Sequence, residues 1–239
     1  MMDPALQEQI MLGVAWYAVF LLSLTLHEAA HAFAALRLGD PTAYHGGQVT
    51  LNPVPHIRRS PFGTVIVPLL VFATSGWMIG WASAPYDPVW ARRYPRREAI
   101  MALAGPLANL LLVLLAGTAI VLGLAMGWFV APQSVTFGML TEAASPGLAS
   151  GAAMVLSILF GLNLLLFVFN LIPLPPLDGS SVITLLMPEE TAMRYRDFLA
   201  GQPGLALVGL LIAWRLFNPV FDRVFLIALK LLYPGVDYQ

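Results

Sequence analysis

Residues 24 to 33 read LTLHEAAHAF and place His27, Glu28 and His31 inside an apolar run from about Ile10 to Leu38. Positions i and i+4 share one face of a helix, about one turn apart. Two imidazoles at that spacing can point at one metal ion, and the glutamate beside the first can reach a water molecule there. Imidazole nitrogen is a favoured ligand of Zn2+ and a carboxylate is a competent general base, so H-E-x-x-H is the pattern of zinc hydrolases. Metal binding also resolves an energetic problem. Three ionisable groups in an apolar helix are costly to bury, and an ion with its ligands offsets that cost. A hydrogen bond to a neighbouring helix is the alternative for either histidine alone.

Two histidines do not complete a site, because a catalytic zinc has three protein ligands and one position for water. The chain contains no cysteine, which excludes thiolate ligands and disulfides. The remaining histidines, His45 and His56, lie in the polar connection after the first apolar run. Carboxylates within or beside apolar segments are therefore the candidates. Asp178 stands out in FNLIPLPPLDGSS, residues 169 to 181. Pro173, Pro175 and Pro176 forbid a regular helix there, and a membrane protein tolerates broken backbone only where protein or water satisfies it. Gly179 lets the chain turn beside the carboxylate. An aspartate merely ending a helix is the alternative, and the histidine motif favours the ligand.

The elements that must position these groups are membrane segments. The 239-residue chain is 59% hydrophobic and only 10% charged, with a mean hydropathy of +0.78, whereas a soluble domain is about a quarter charged. A net charge of −1 gives no basic face for nucleic acid. Five apolar segments stand out, at about 10–38, 62–82, 99–130, 151–174 and from about 205 onward. The expected fold is an all-α polytopic membrane protein with about four to six membrane segments. The second segment carries Pro68, Gly76, Gly80 and several β-branched residues. It reads as a kinked helix or as a re-entrant or strand-like element after the first helix. The fifth contains Arg215, Asp222 and Arg223, and reads as a short span followed by an amphipathic helix, or as a tight helix pair. The opening MMDPALQEQ has no Lys or Arg before the first apolar run. A cleaved signal peptide is therefore not expected, and the histidine-bearing helix stays in the mature protein.

Three motifs in order then carry a family resemblance: His27-Glu28-Ala29-Ala30-His31, AGPLAN at 104–109, and NLIPLPPLDG at 170–179. The chain resembles the site-2 proteases, the intramembrane zinc metalloproteases, in their compact form without a PDZ domain. The resemblance covers about residues 10–185. The short connections and apolar pattern read as one membrane domain over 1–239, with a C-terminal membrane segment at about 204–235 that the resemblance does not constrain; the resemblance makes that domain a metalloprotease. It further implies one Zn2+ per chain held by His27, His31 and Asp178, with Glu28 activating water. Asn109 and Asn170 match motif asparagines that hold the substrate backbone or polarise its carbonyl, and an interhelical hydrogen bond is their other role. The implied partners are transmembrane protein or peptide substrates and the lipid bilayer. Three departures are HIRRSPFGT at 56–64, where compact members often carry an acid, GWASAP at 80–85, which lacks their lysine, and Ser181, where a basic residue often follows D-G-S.

Depth provides a separate constraint. His27, His31 and Asp178 must meet at one level, so the first and fourth segments must end on the same side. A re-entrant second segment achieves this. It also gathers Arg37, Arg58, Arg59, Arg92, Arg93, Arg96, Arg97, Arg194 and Arg196 on one face, opposite a connection at about 132–150 without Lys or Arg. The positive-inside rule makes the arginine face cytoplasmic. The expectation is a multi-pass protein of the cell membrane with its active site nearer the cytoplasmic face. TVIV at 64–67, with GWMIGW at 76–81, could offer backbone partners to an extended substrate, or simply pack. A metal-transporting protein would need further acidic or histidine residues along other helices, and the third segment supplies none. A catalytically silent scaffold has no use for a buried Glu28. A zincin acting on soluble chains fits poorly with a motif inside a membrane helix.

Overall fold

The computed structural model describes residues 3–236 and 238. The first apolar run forms one long helix, α1 (Pro4–Leu38), with the Asp3 carboxylate accepting from Ala5 N–H at its start. Pro4 occupies the first turn, where no backbone donor is needed, and Gly39 closes the other end in the left-handed conformation at φ 104°. Beyond it, the Asp40 carboxylate accepts the backbone N–H of Thr42 at 2.9 Å and that of Asp87 at 2.8 Å. A distant stretch of chain is thereby tied to the end of α1.

Between Thr42 and Asp87 run two short helices, α2 (Thr42–His45) and α3 (Pro53–Arg59), and then the second apolar segment. That segment is helical on its outward leg. A π-helical turn over Phe62–Ile66 continues into α4 (Val67–Ser75), bent by 113° from α3. The chain then returns without regular secondary structure. Trp81 N–H bonds Gly63 O at 3.1 Å, and Arg59 Nε donates to Ser83 O at 2.9 Å. The segment therefore leaves where it entered, as a re-entrant element does. The strand reading of Thr64–Val67 is corrected: these residues are helical. In apolar surroundings a helix satisfies its own backbone groups, whereas an unpaired strand does not, and this outweighs β-branched propensity.

After α5 (Pro88–Arg93), helix α6 (Pro95–Ala125) runs antiparallel to α1, with Arg97 donating to Leu38 O at the shared end. The third apolar segment stops as helix at Ala125. Phe129–Val130 forms strand β1, paired antiparallel with β2 (Glu142–Ala143). Helix α7 (Leu148–Asn170) then runs parallel to α1, with Asn163 facing Ser23 at 2.8 Å. The following stretch includes a cis Pro175–Pro176 bond and leads to α8 (Gly179–Val182), a 3-10 turn (Ile183–Leu186) and α9 (Glu189–Ala200). Helix α10 (Leu205–Leu232) is continuous through Pro219. The expected short span plus amphipathic helix, or helix pair, is thus corrected to one 28-residue helix preceded by the polar α9. Arg215, Asp222 and Arg223 lie exposed along α10 and leave its backbone bonding intact.

Among the described residues four helices, α1, α6, α7 and α10, are long and apolar enough to cross a membrane, or five segments if α3–α4 counts as one. The chain is an all-α, multi-pass membrane protein. α7 is the enclosed span, with 61% of its most apolar stretch buried against 17% for α10. The core gathers Phe20, Ile120, Ile158 and Leu162 from α1, α6 and α7. Because the chain has no native cysteine, single cysteines report cleanly on sidedness. Arg58→Cys and Arg93→Cys will label from one face of the membrane and Gln133→Cys from the other. Labelling of position 93 from the same face as position 133 would contradict the re-entrant path.

Candidate metal centre

His27 and His31 project from one face of α1 with ring centroids 4.6 Å apart. Asp178 enters from the turn that opens α8. The two Nε2 atoms are 2.9 Å apart, and Asp178 Oδ2 lies 3.2 Å from that of His27 and 3.4 Å from that of His31. Among the described residues this is the one group of three such side chains whose ligand atoms converge, all within 4.8 Å of one another. Both histidines are buried, as is Glu28. His45 is exposed and stands edge-on to Tyr44. His56 is buried and bonds Thr50 O. Neither belongs to the group.

Hydrogen bonds fix which nitrogen each ring offers. His31 Nδ1 lies 2.8 Å from Met101 O, a carbonyl that only accepts, so Nδ1 carries a proton. For His27 the direction is set through four residues. Ser23 Oγ donates to Val19 O, and Asn163 Nδ2 donates both to Ser23 Oγ and to Leu159 O. Asn163 therefore turns its oxygen to Asn109 Nδ2 at 2.8 Å, and Asn109 turns its own to His27 Nδ1 at 2.6 Å. His27 Nδ1 must then donate. Neutral imidazoles in this arrangement face each other with Nε2 lone pairs, which repel at 2.9 Å without a cation between them. Asp178 Oδ2 and Glu28 Oε2 are buried without hydrogen-bond partners. Two nitrogen lone pairs, two carboxylates and no sulfur suit a divalent ion of the zinc type.

Space for the ion comes from α6. A Cβ placed on Gly105 would lie 2.6 Å from His27 Nε2 and closer still to His31 Nε2, so any side chain there would invade the ligand cluster. The same helix carries Asn109 and the Met101 carbonyl, and one turn earlier Glu98. Glu98 is 2% exposed. It accepts from Ser181 Oγ at 2.8 Å and from Arg196 Nη1 of α9. Gly179, beside Asp178, is needed for close approach: a Cβ there would meet the carbonyl oxygens of Leu171 and Ile172.

Of the two motif asparagines, Asn109 is fully buried with both ends of its amide engaged. Asn170 ends α7, is half-buried, and makes no side-chain hydrogen bond among the described residues. Sequence reasoning missed Ser23, Asn163 and Glu98. Asn163 sits alone in an apolar span, and Glu98 at the edge of another; intramembrane polarity was the signal available for both.

The model of peptidase family M50 matches residues 15–212. The chain is 36% identical over 169 residues to "Putative zinc metalloprotease YwhC" of Bacillus subtilis (strain 168), covering 70% of this chain and 67% of that one. It is 31% identical over 222 residues to "Putative zinc metalloprotease Rip2" of Mycolicibacterium smegmatis, covering 93% of this chain and 73% of that one. The Rip2 protein of Mycobacterium tuberculosis (strain ATCC 25618 / H37Rv) is likewise 31% identical, over 195 residues, which is 82% of this chain and 64% of that one. No solved structure matches.

Two substitutions on α6 probe the centre. Asn109→Ala will weaken zinc binding about 10–100-fold, the usual cost of removing the hydrogen-bond partner of a metal-ligating histidine. Gly105→Val will abolish binding by occupying the ion's space. Equilibrium dialysis against zinc measures both, and wild-type affinity in Gly105→Val would show that the cluster is not the metal site.

Proposed function

The chain belongs to peptidase family M50, the site-2 proteases, and is a zinc-dependent protease; from that premise we propose that it hydrolyses peptide bonds within or next to transmembrane segments of other membrane proteins. The observation that carries the proposal is the convergence of His27, His31 and Asp178 at a buried point on a helix long and apolar enough to span a bilayer. One zinc per chain is held by these three residues. A zinc ion held there would supply Lewis acidity toward a water molecule and the scissile carbonyl. Glu28, whose Oε2 has no other partner, takes the proton of the attacking water and returns it to the leaving amine. Asn109 holds His27 in its ligating tautomer. Asn170, whose amide makes no hydrogen bond among the described residues, is the residue assigned to the substrate backbone.

A route for substrate is consistent with this reading. An apolar cavity of about 790 Å³ lies between the end of α4, α7 and α10, lined by Trp16, Trp77, Phe137, Phe169, Trp214 and Phe221. It reaches Phe169, the neighbour of Asn170. The non-helical return of 76–81 passes its edge, with Gly76, Trp77 and Ile79 in the lining, so backbone pairing with an unwound substrate draws on this stretch alone, residues 64–67 being helical. The substrates are single-span membrane proteins. The arginine-bearing ends of α1, α5, α6 and α9 share one face, joined by the Arg97–Leu38 and Arg92–Asp197 contacts. By the positive-inside rule that face is cytoplasmic in the cell membrane, and the metal centre lies nearer to it.

The test compares new peptide termini in membranes of cells making wild-type protein or Glu28→Gln. The variant will keep its zinc and lose about 10²–10⁴-fold in cleavage. Termini specific to wild type will fall within or beside apolar spans. Wild-type-specific termini confined to soluble domains would overturn the intramembrane reading.

A further inference from the structure

Glu98 has no part in ligation or proton transfer, yet it is an almost fully buried carboxylate at the start of a membrane helix. Both of its oxygens are used. Oε1 accepts from Ser181 Oγ at 2.8 Å, and Oε2 accepts from the Arg196 guanidinium, which is itself largely buried. Ser181 belongs to the turn that presents Asp178: Ser181 N–H and Val182 N–H both bond Asp178 O at 2.9 Å. Within that turn, Ser180 Oγ and Thr184 Oγ1 bond only to neighbouring backbone carbonyls. Among the described residues, Ser181 is the side chain whose hydrogen bond crosses from the Asp178 turn to α6.

The consequence is geometric. His27 and His31 stand on a rigid helix, but Asp178 follows an irregular stretch with three prolines. A carboxylate on such a stretch needs a fixed point close by, or it samples positions away from the histidines. Glu98 provides that point from the same helix that carries Met101, Gly105 and Asn109. Arg196 pairs with Glu98 from α9, and a hydrogen bond to an ion-paired carboxylate is stronger than one to a neutral acceptor.

We infer that Glu98 is a positioning residue for the metal ligand Asp178, acting through Ser181, with Arg196 of α9 pairing with Glu98 and holding it in place. This rests on Asp178 being a ligand, and the test separates the two claims. Zinc affinity of detergent-purified protein is measured by competition with a chelator for wild type, Ser181→Ala, Ser181→Thr, Glu98→Gln, the Ser181→Ala/Glu98→Gln double variant and Asp178→Ala. Thermal unfolding of each zinc-free protein is recorded alongside.

Ser181→Ala will bind zinc about 10–100-fold more weakly, with the unfolding midpoint of its zinc-free form unchanged. Ser181→Thr, which keeps the hydroxyl, will restore affinity. The double variant will be no weaker than the weaker single variant, because both remove one linkage. Wild-type affinity in Ser181→Ala, or losses that add in the double variant, would overturn the positioning role. Should Asp178→Ala itself bind zinc as wild type does, the ligand assignment falls, and the positioning role with it.

Discussion

One face of α6 governs the centre. Glu98, Met101, Gly105 and Asn109 recur every three or four residues, the spacing that aligns side chains along a helix. Met101 offers a carbonyl to His31, Asn109 an amide to His27, Gly105 an absence of side chain, and Glu98 a carboxylate to the Asp178 turn. The residues proposed as ligands sit on α1 and after α7, which run parallel, while α6 lies antiparallel and touches both. Moving α6 along its axis by even one residue would misalign all four contacts together. The packing of α6 against α1 and α7 and the geometry of the metal centre are therefore one constraint.

The membrane setting explains why the supporting network is so complete. In lipid an unsatisfied polar group finds no water, so each buried donor and acceptor needs a protein partner. The Ser23–Asn163–Asn109–His27 chain meets that need with a single direction of donation ending on a backbone carbonyl. Interhelical hydrogen bonds of this kind contribute only about 0.6–2 kcal/mol each. Their larger effect is orientational: they fix the tautomer of His27 and leave Nε2 facing His31 and Asp178. Six buried side-chain atoms have no hydrogen-bond partner among the described residues, and two of them, Glu28 Oε2 and Asp178 Oδ2, belong to the H-E-x-x-H motif and the cluster, where an ion and a water molecule would satisfy them.

Much of this was legible in the sequence because it is local or compositional. The i, i+4 histidines declare a shared face, the run lengths declare spans, and the depth argument requires a segment that returns to its own side, as α4 and the irregular 76–87 stretch do. Other features were illegible because they depend on tertiary partners. Thr64–Val67 has strand-forming side chains but lies where a helix satisfies its own backbone. Arg215, Asp222 and Arg223 suggested a break in the last segment, yet they sit on the outer side of an unbroken α10. Ser181 departs from the basic residue common in compact relatives, and nothing in its local sequence shows that Arg196 and Glu98 supply an ion pair at that place. Asn109 carries a motif identity, but only the packing of α6 shows its amide committed to His27 and Asn163.

The central claim is that two imidazoles and one carboxylate, held by α6, bind a single zinc. X-ray absorption at the zinc edge of the purified protein, with metal content determined on the same sample, tests it most directly. The account predicts one zinc per chain with two histidine nitrogens, a carboxylate oxygen and one further oxygen. A shell of oxygens alone, or with a single imidazole, would contradict it.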